Sequence, residues 1–169
     1  TEPDQDISAY PITIKYTVLP YESIKRTKGF YTYKNSFLTS FEPNYASTLL
    51  PCFDDPIVRS TFRVKIQIPT NLVGLSNMPA ETTTHINDNE KLITFLPTPP
   101  MCCYLLSIFV GPFHKCIKSE TNRGLPILIY SENIEHFISE KFLMMAISSV
   151  EWIEEKFGVK YELPHLQFL

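Results

Sequence analysis

Alternation of apolar and polar residues over short runs is the main pattern in the first two thirds of this chain. In the clearest run, residues 62–68, the apolar positions are separated by Arg63, Lys65 and Gln67. A period of two places every apolar side chain on one face of an extended segment. The run therefore predicts a β-strand with one buried face, and residues 10–18 alternate in the same way.

Further apolar runs predict the remaining elements of this part. Weaker strands are expected at 72–76 and 81–86, and another strand at 92–96. An Asn-Asp-Asn-Glu sequence before 92–96 supplies the turn of a hairpin. Residues 103–110 are an almost unbroken apolar run, which predicts a strand in the middle of a sheet. The proline-punctuated segment 41–56 predicts an ordered loop.

The pattern changes after a Gly-Pro pair at 111–112. Residues 125–130 predict one more strand, and apolar residues then recur at helical spacing from about 133 to 157, with charges on the opposite face. Gly158 is placed to end this helix in a left-handed cap, and 166–169 predicts a strand. These elements predict a β-α-β unit.

We therefore predict a mainly β chain in two parts. Residues 1–113 are expected to form an N-terminal β-domain, incomplete at its start, and residues 114–169 the beginning of an α/β domain. A length of 169 residues allows one domain and part of a second. Fourteen prolines against five glycines agree with many short extended segments joined by rigid turns.

Charge and hydropathy argue against two classes of partner. The formal net charge is −3 and no basic stripe with interleaved aromatic residues occurs, so nucleic acid is not expected. No apolar run approaches the roughly 18 residues that a membrane helix needs, so we predict no membrane segment in this chain. A membrane-anchored parent protein stays open, because the chain does not begin with methionine.

The cysteine spacing favours unpaired thiols. Cys52 is isolated, Cys102 and Cys103 are adjacent, and Cys116 follows later, so no C-x-x-C pair occurs. Adjacent residues of a strand point to opposite faces and cannot bind one metal ion together. We expect free core thiols in a reducing compartment, and hence a cytoplasmic location.

Several separated motifs follow one another in a fixed order. They are Gly29-Phe30-Tyr31, Phe41-Glu42-Pro43, Pro51-Cys52-Phe53-Asp54-Asp55-Pro56, Leu75-Ser76-Asn77-Met78-Pro79, Thr98-Pro99-Pro100-Met101 with Tyr104-Leu105-Leu106, and Tyr161-Glu162-Leu163-Pro164. The ordered set resembles the zinc aminopeptidases of the aminopeptidase N and puromycin-sensitive type. Their corresponding segments are G-F-Y, F-E-P, P-C-F-D-E-P, L-S-N-M-P, T-P-P-M-S-T-Y-L and Y-P-L-P.

The resemblance implies a fold and a cofactor. It implies a saddle-like antiparallel β-sandwich as the N-terminal domain, followed by the opening β-α-β of a thermolysin-like catalytic domain. In such enzymes the H-E-x-x-H zinc helix and the G-x-M-E-N strand lie beyond the Y-P-L-P segment. Zinc is therefore expected in the full-length protein, and we expect this chain, which stops short of both motifs, to bind none.

The resemblance also implies two substrate-binding residues. Taken alone, a glutamate before proline in a loop is usually a solvated or capping carboxylate. In the resembled family, the F-E-P glutamate, here Glu42, contacts the free α-amine of a peptide substrate. The family usually has glutamine where this chain has Ser40, which implies an altered first substrate pocket. Alanine and arginine follow F-E-P in the family, and this chain has Ser47 in place of the arginine.

The histidines do not form a zinc site. Peptide hydrolysis on zinc uses two histidines four residues apart on one helix face. The four histidines are His85, His114, His136 and His165, and no two lie closer than 22 residues. His136 has Glu140 four residues later on the predicted helix, an arrangement more typical of a solvated helix face. We therefore expect no catalytic residue and no metal ligand in this chain.

Three functions remain to be distinguished. The first is part of a zinc aminopeptidase that removes N-terminal residues from peptides, inactive alone, with the remainder of the catalytic domain as its partner. The second is a non-catalytic interaction module on the same scaffold, for which Ser40, Ser47 and the absent histidine pair are the motivation. The third is an adhesion module of β-sandwich type. It is disfavoured because the chain has neither an N-x-S/T glycosylation site nor a disulfide pattern.

Overall fold

A computed structural model of the chain describes residues 11–22, 28–113, 115–131 and 140–169. Within these residues the fold is mainly β, which confirms the predicted class. The strands are β1 (Tyr21–Glu22), β2 (Gly29–Tyr33), β3 (Ser36–Ser40), β4 (Arg59–Ser60), β5 (Lys65–Pro69), β6 (Val73–Ser76), β7 (Ala80–His85), β8 (Glu90–Phe95), β9 (Met101–Cys102), β10 (Ile108–Gly111), β11 (Lys115–Glu120), β12 (Pro126–Ser131) and β13 (Leu166–Phe168). One α-helix, α1 (Glu140–Phe157), and two 3-10 helices, Ala46–Thr48 and Cys103–Leu105, complete the described elements. The described helices include none with the length and apolar composition to cross a membrane.

Among the described residues, the largest sheet has five strands in the order β1-β2-β3-β10-β6. Strand β10 pairs antiparallel with β3 on one side and β6 on the other, as expected for a mid-sheet strand. The predicted strand at 103–110 is nevertheless too long, because Cys103–Leu105 forms a 3-10 helix. The Asn77 side chain explains the break: it donates to the Leu105 carbonyl at 2.8 Å and accepts from the Ser107 amide at 2.8 Å. These backbone groups therefore bond a side chain instead of a neighbouring strand.

A second sheet in the order β5-β8-β7 confirms the predicted hairpin. It also confirms the strand predicted at 62–68 for residues 65–68, because β5 begins at Lys65. Strands β7 and β8 pair antiparallel, and the Asn87 carboxamide oxygen accepts from the Asn89 and Glu90 amides at 2.9 Å each. This Asx turn is the chemistry that the sequence predicts. The buried face of the sheet carries Ile68 and Ile93.

The strand predicted at 10–18 is wrong for residues 11–18, and Tyr10 lies outside the described residues. The described part forms no regular structure there, and Ile12 and Ile14 are 84% and 56% exposed. Alternation marks a segment that can bury one face, but a strand also requires a neighbour to bond its backbone. No strand of the described part pairs with this segment.

The C-terminal part has the predicted β-α-β order. Strand β13 lies parallel to β12, and α1 connects them, packing Ala146 against Leu125 and Ile127. The helix ends at Phe157, and Gly158 has the left-handed φ of +66° that the cap requires. Its predicted start near 133 lies outside the described residues. Strand β11, antiparallel to β12, is not predicted by the sequence, because its apolar positions do not alternate clearly.

An ion pair joins the turn after β11 to α1. The Arg123 guanidinium donates to both carboxylate oxygens of Glu154, at 2.8 and 2.5 Å, and to the Tyr161 carbonyl at 3.2 Å. The Tyr161 amide donates to the same carboxylate at 2.8 Å. These bonds lower the pKa of Glu154 to about 2, and hydrogen bonding to Arg123 contributes most. The bidentate geometry fixes the helix end against the strand turn.

Acidification should therefore remove stability contributed by Glu154. A carboxyl whose pKa is depressed in the folded state stabilises the fold above its unfolded value, about 4.3. This contribution disappears as the pH falls from about 5 through the folded value of about 2. We expect Glu154→Gln to lower the melting temperature at pH 7, to lower it by less at pH 3, and to have no effect once the pH is below about 2. Glu155→Gln, at an exposed position on the same helix, is the control, and an equal difference for Glu154→Gln at both pH values would contradict the prediction.

Candidate functional site

The predicted substrate-binding residues lie where β3 enters the 41–56 loop. Ser40 is the last residue of β3, pairs with Gly29 and is half-buried. Phe41 is 2% exposed and belongs to a core cluster with Met101 and Leu106. The next residue, Glu42, is exposed. The chain therefore anchors one side chain inside the core and presents the following carboxylate to solvent.

The bend that carries Glu42 is closed by its own backbone. The Tyr45 amide donates to the Phe41 carbonyl at 2.7 Å, across the cis peptide bond between Glu42 and Pro43. A 3-10 helix follows at once, and its first residue, Ala46, is fully buried in the same cluster as Phe41. Because buried residues flank the exposed turn on both sides, the backbone at Glu42 has little freedom.

Gly29 shows why the Gly-Phe-Tyr motif accompanies this bend. The Thr48 hydroxyl accepts from the Phe30 amide at 3.2 Å and donates to the Tyr45 carbonyl at 2.6 Å, which joins β2 to the bend. A Cβ atom on Gly29 would lie 2.7 Å from that hydroxyl, and the φ of Gly29 is +82°. Both the close approach and the left-handed backbone require glycine at this position.

Asp54 holds the other end of the loop. One carboxylate oxygen, Oδ2, accepts from the Ser47 amide at 3.0 Å, and Oδ1 lies 3.5 Å from the Cys103 thiol sulfur. Aspartates that are bracketed by prolines, as Asp54 and Asp55 are, commonly bind the amides of their own turn. That role is confirmed for Asp55, whose Oδ1 accepts from Ile57 at 2.9 Å. Asp54 instead reaches seven residues back and joins two parts of the loop.

The Glu42 carboxylate is available for a ligand. Among residues 11–22, 28–113, 115–131 and 140–169, Glu42 takes part in no salt bridge. A carboxylate in this position can accept charge-assisted hydrogen bonds from a cationic ligand, above all from an ammonium group. Whether Ser40 and Glu42 bind a peptide together stays a prediction.

The described residues do not provide a zinc site of the hydrolytic kind. His85 is exposed on β7, whereas His165 is buried next to Gln167, and burial lowers its pKa. His114 and His136 lie outside the described residues. Since the sequence has no histidine pair four residues apart, its histidines do not fit the H-E-x-x-H type of zinc site.

One cluster was missed from the sequence. Cys52, Asp54 and Cys103 place one sulfur or oxygen atom each within 4.8 Å of the others. In the sequence Cys52 is isolated, because 51 residues separate it from Cys103 and no local spacing predicts that contact. Burial is confirmed for Cys102 and Cys103, whereas the expectation of a core thiol is wrong for Cys116, which is exposed at the edge strand β11.

Comparisons with known proteins agree on one family. Residues 2–105 match the Peptidase M1 N-terminal domain. Aminopeptidase M1 of Arabidopsis thaliana is 32% identical over 152 residues, which cover 85% of this chain and 17% of that protein. Puromycin-sensitive aminopeptidase of Caenorhabditis elegans is 33% identical over 127 residues, 75% of this chain and 13% of that protein. Aminopeptidase N of Acetobacter pasteurianus is 29% identical over 136 residues, 80% of this chain and 38% of that protein. The chain therefore spans between about an eighth and two fifths of these relatives.

Gly29→Ala should loosen the bend that carries Glu42. The new methyl group meets the Thr48 hydroxyl, and the backbone must hold a left-handed φ. We expect the free energy of unfolding to fall by about 1–3 kcal/mol. Gly124→Ala is a matched control, because Gly124 has a φ of +83° but nothing within 4 Å of the added Cβ. Urea unfolding of both variants measures the difference, and an equal loss in the two would show that the Thr48 contact does not matter.

Proposed function

This chain belongs to the Peptidase M1 family, and from that membership we propose that it is part of a zinc-dependent aminopeptidase that removes N-terminal residues from peptides. The relatives named above are aminopeptidases, and the family match covers residues 2–105 of the chain. The partner is a peptide with a free N-terminus.

The observation that carries this proposal is the exposed Glu42 carboxylate on a fixed bend. Phe41 and Ala46 are buried on either side of it, and the Tyr45 amide closes the turn. A carboxylate held in this way can accept hydrogen bonds from the α-ammonium group of a peptide. An internal peptide bond lacks that cation, so substrates without a free amine lose the interaction. The proposed role of Glu42 is therefore to select the chain end.

Ser40 is proposed to shape the first substrate pocket. It is half-buried at the end of β3, two residues before Glu42 and directly before the anchored Phe41. Serine is shorter than the glutamine usual in the resembled family, so the pocket next to the ammonium site should be larger or differently polar. We propose that this residue changes the preference for the N-terminal side chain.

Zinc is proposed to be held by parts of the parent protein outside this chain. The histidines described above do not fit the H-E-x-x-H type of zinc site, so we propose that the 169-residue chain does not hydrolyse peptides by itself. When bound, such an ion supplies an activated water molecule for hydrolysis. The contribution of this chain is binding and orientation, through Glu42 and the shape of the adjoining pocket.

The remainder of the catalytic domain is the proposed protein partner. Helix α1 packs Ala146 inward but exposes several large apolar side chains, which a partner surface would cover. These residues are Met144, Met145, Trp152, Ile153 and Phe157, each at least 50% exposed. A cytoplasmic location remains part of the proposal.

Substitution of Glu42 in the parent protein tests the ammonium role. We expect Glu42→Gln to lower kcat/KM for free peptides by about 10- to 100-fold, because the charge-assisted bonds become neutral ones. Hydrolysis of N-acetylated peptides, which carry no ammonium group, should stay at its low parental rate. Glu81→Gln, at an exposed position on β7, is the matched control.

Two results would overturn this proposal. Unchanged discrimination between free and acetylated peptides in Glu42→Gln would remove the selective role of that residue. A parent protein that neither binds zinc nor cleaves free peptides would favour the non-catalytic interaction module.

The exposed face of α1 should make the isolated chain self-associate. We expect light scattering to show a mass that grows with concentration, because apolar side chains become buried between copies. Met145→Glu together with Trp152→Glu should reduce this growth, whereas Lys156→Glu, at an exposed polar position of the same helix, should not. The prediction is wrong if the unsubstituted 169-residue chain is monomeric at every concentration.

A further inference from the structure

Three potential metal ligands meet at the edge of the core cluster that contains Phe41. Cys52 and Asp54 come from one loop and Cys103 from a 3-10 helix, and their ligand atoms lie within 4.8 Å of one another. The Cys103 sulfur is 3.5 Å from Asp54 Oδ1. Zinc bonds of about 2.3 Å to sulfur and 2.0 Å to oxygen at a tetrahedral angle place those two atoms about 3.5 Å apart. The spacing of this pair already suits one ion.

The carboxylate is oriented before any ion arrives. Asp54 Oδ2 accepts from the Ser47 amide at 3.0 Å, which leaves Oδ1 directed at the thiol. The backbone of Asp54 is held at a φ of +46°, which is uncommon for a residue with a side chain. A ligand fixed by a hydrogen bond to its second oxygen is the usual arrangement around protein-bound metals.

The neighbouring thiol takes no part in the cluster. The Cys102 sulfur donates to the Pro56 carbonyl at 3.0 Å. Cys102 ends β9 and Cys103 begins the 3-10 helix, so the expected opposite faces of one strand do not apply to this pair. The second sulfur of the cluster comes from Cys52.

The two sulfur atoms and one carboxylate oxygen determine which class of ion can bind. Two thiols and one carboxylate suit zinc and related borderline-soft divalent ions better than magnesium or calcium, which prefer oxygen alone. A cysteine binds such an ion as the thiolate, so binding must displace the thiol protons of Cys52 and Cys103.

We propose that Cys52, Asp54 and Cys103 form a binding site for a divalent ion of the zinc class, with a water molecule as fourth ligand. This site is separate from the zinc of the proposed peptidase. Because Asp54 also binds the Ser47 amide, the ion would link the 52–54 segment and Cys103 to the loop that carries Glu42.

Cobalt is the probe for this site, since thiolate ligands give Co²⁺ an intense charge-transfer absorption. The reduced, metal-free 169-residue chain is titrated with CoCl₂ and then with ZnCl₂, at pH 7 and under argon. We expect one Co²⁺ per chain with thiolate bands, displacement by Zn²⁺ and release of protons to a pH indicator. Amide exchange at Ser47 should become slower when Zn²⁺ is bound.

Substitutions assign the ligands. Cys52→Ser, Cys103→Ser and Asp54→Asn should each weaken Zn²⁺ binding by at least about tenfold, and the two cysteine variants should lose the thiolate bands. Cys102→Ser and Cys116→Ser are the controls and should bind as the parent chain does. Circular dichroism of every variant without metal confirms that the fold persists.

Three results would overturn the proposal. They are a folded, reduced chain without thiolate bands, equal losses in Cys102→Ser or Cys116→Ser, and a Cys52–Cys103 disulfide that forms in air and is not prevented by Zn²⁺. None of these readouts depends on peptide hydrolysis, so the metal site and the aminopeptidase proposal can fail separately.

Discussion

Burial of Phe41 is the constraint on which the candidate site depends. The residue is 2% exposed and packs with Met101 and Leu106, so the chain cannot turn at Glu42 without holding its neighbour inside the core. Ala46 repeats this anchoring four residues beyond the carboxylate. Hydrophobic burial is non-directional, so it does not orient the bend at Glu42. The orientation of the bend comes from the hydrogen bond of the Tyr45 amide and from Thr48 beside Gly29. A surface carboxylate thereby acquires a defined position without any salt bridge of its own in the described residues.

Local patterns predict those parts of the fold whose interactions are local. The hairpin of β7 and β8 follows from Asn87 and the alternation around it, and the end of α1 follows from Gly158. The sequence-based predictions fail where a group that is distant in the sequence determines the local backbone structure. Residues 11–18 alternate but have no pairing strand in the described part, and Cys103–Leu105 is apolar but its neighbouring backbone bonds the Asn77 side chain.

The candidate site likewise has one part that the sequence predicts and one part that it does not. Glu42 can be found from its motif, because the resembled family carries glutamate at the same place. The cluster of Cys52, Asp54 and Cys103 cannot, since a separation of 51 residues is closed only by the packing of the loop on the core. The one sequence signal is the Cys102-Cys103 pair, at the place where the family segment has Ser-Thr. The two adjacent thiols contact different groups. Only Cys103, which lies beside Asp54 and Cys52, belongs to the proposed metal site.

Ser47 shows how a loop can change its sequence without losing its anchor. The family arginine at this place suggests an ion pair with the loop, and its loss suggests a weakened bend. In this chain the contact with Asp54 is made by the backbone amide of Ser47 at 3.0 Å. Every residue except proline provides that donor, so the anchor depends on the path of the chain and not on the side chain. The anchor at this position is thus insensitive to the exchange of arginine for serine at position 47.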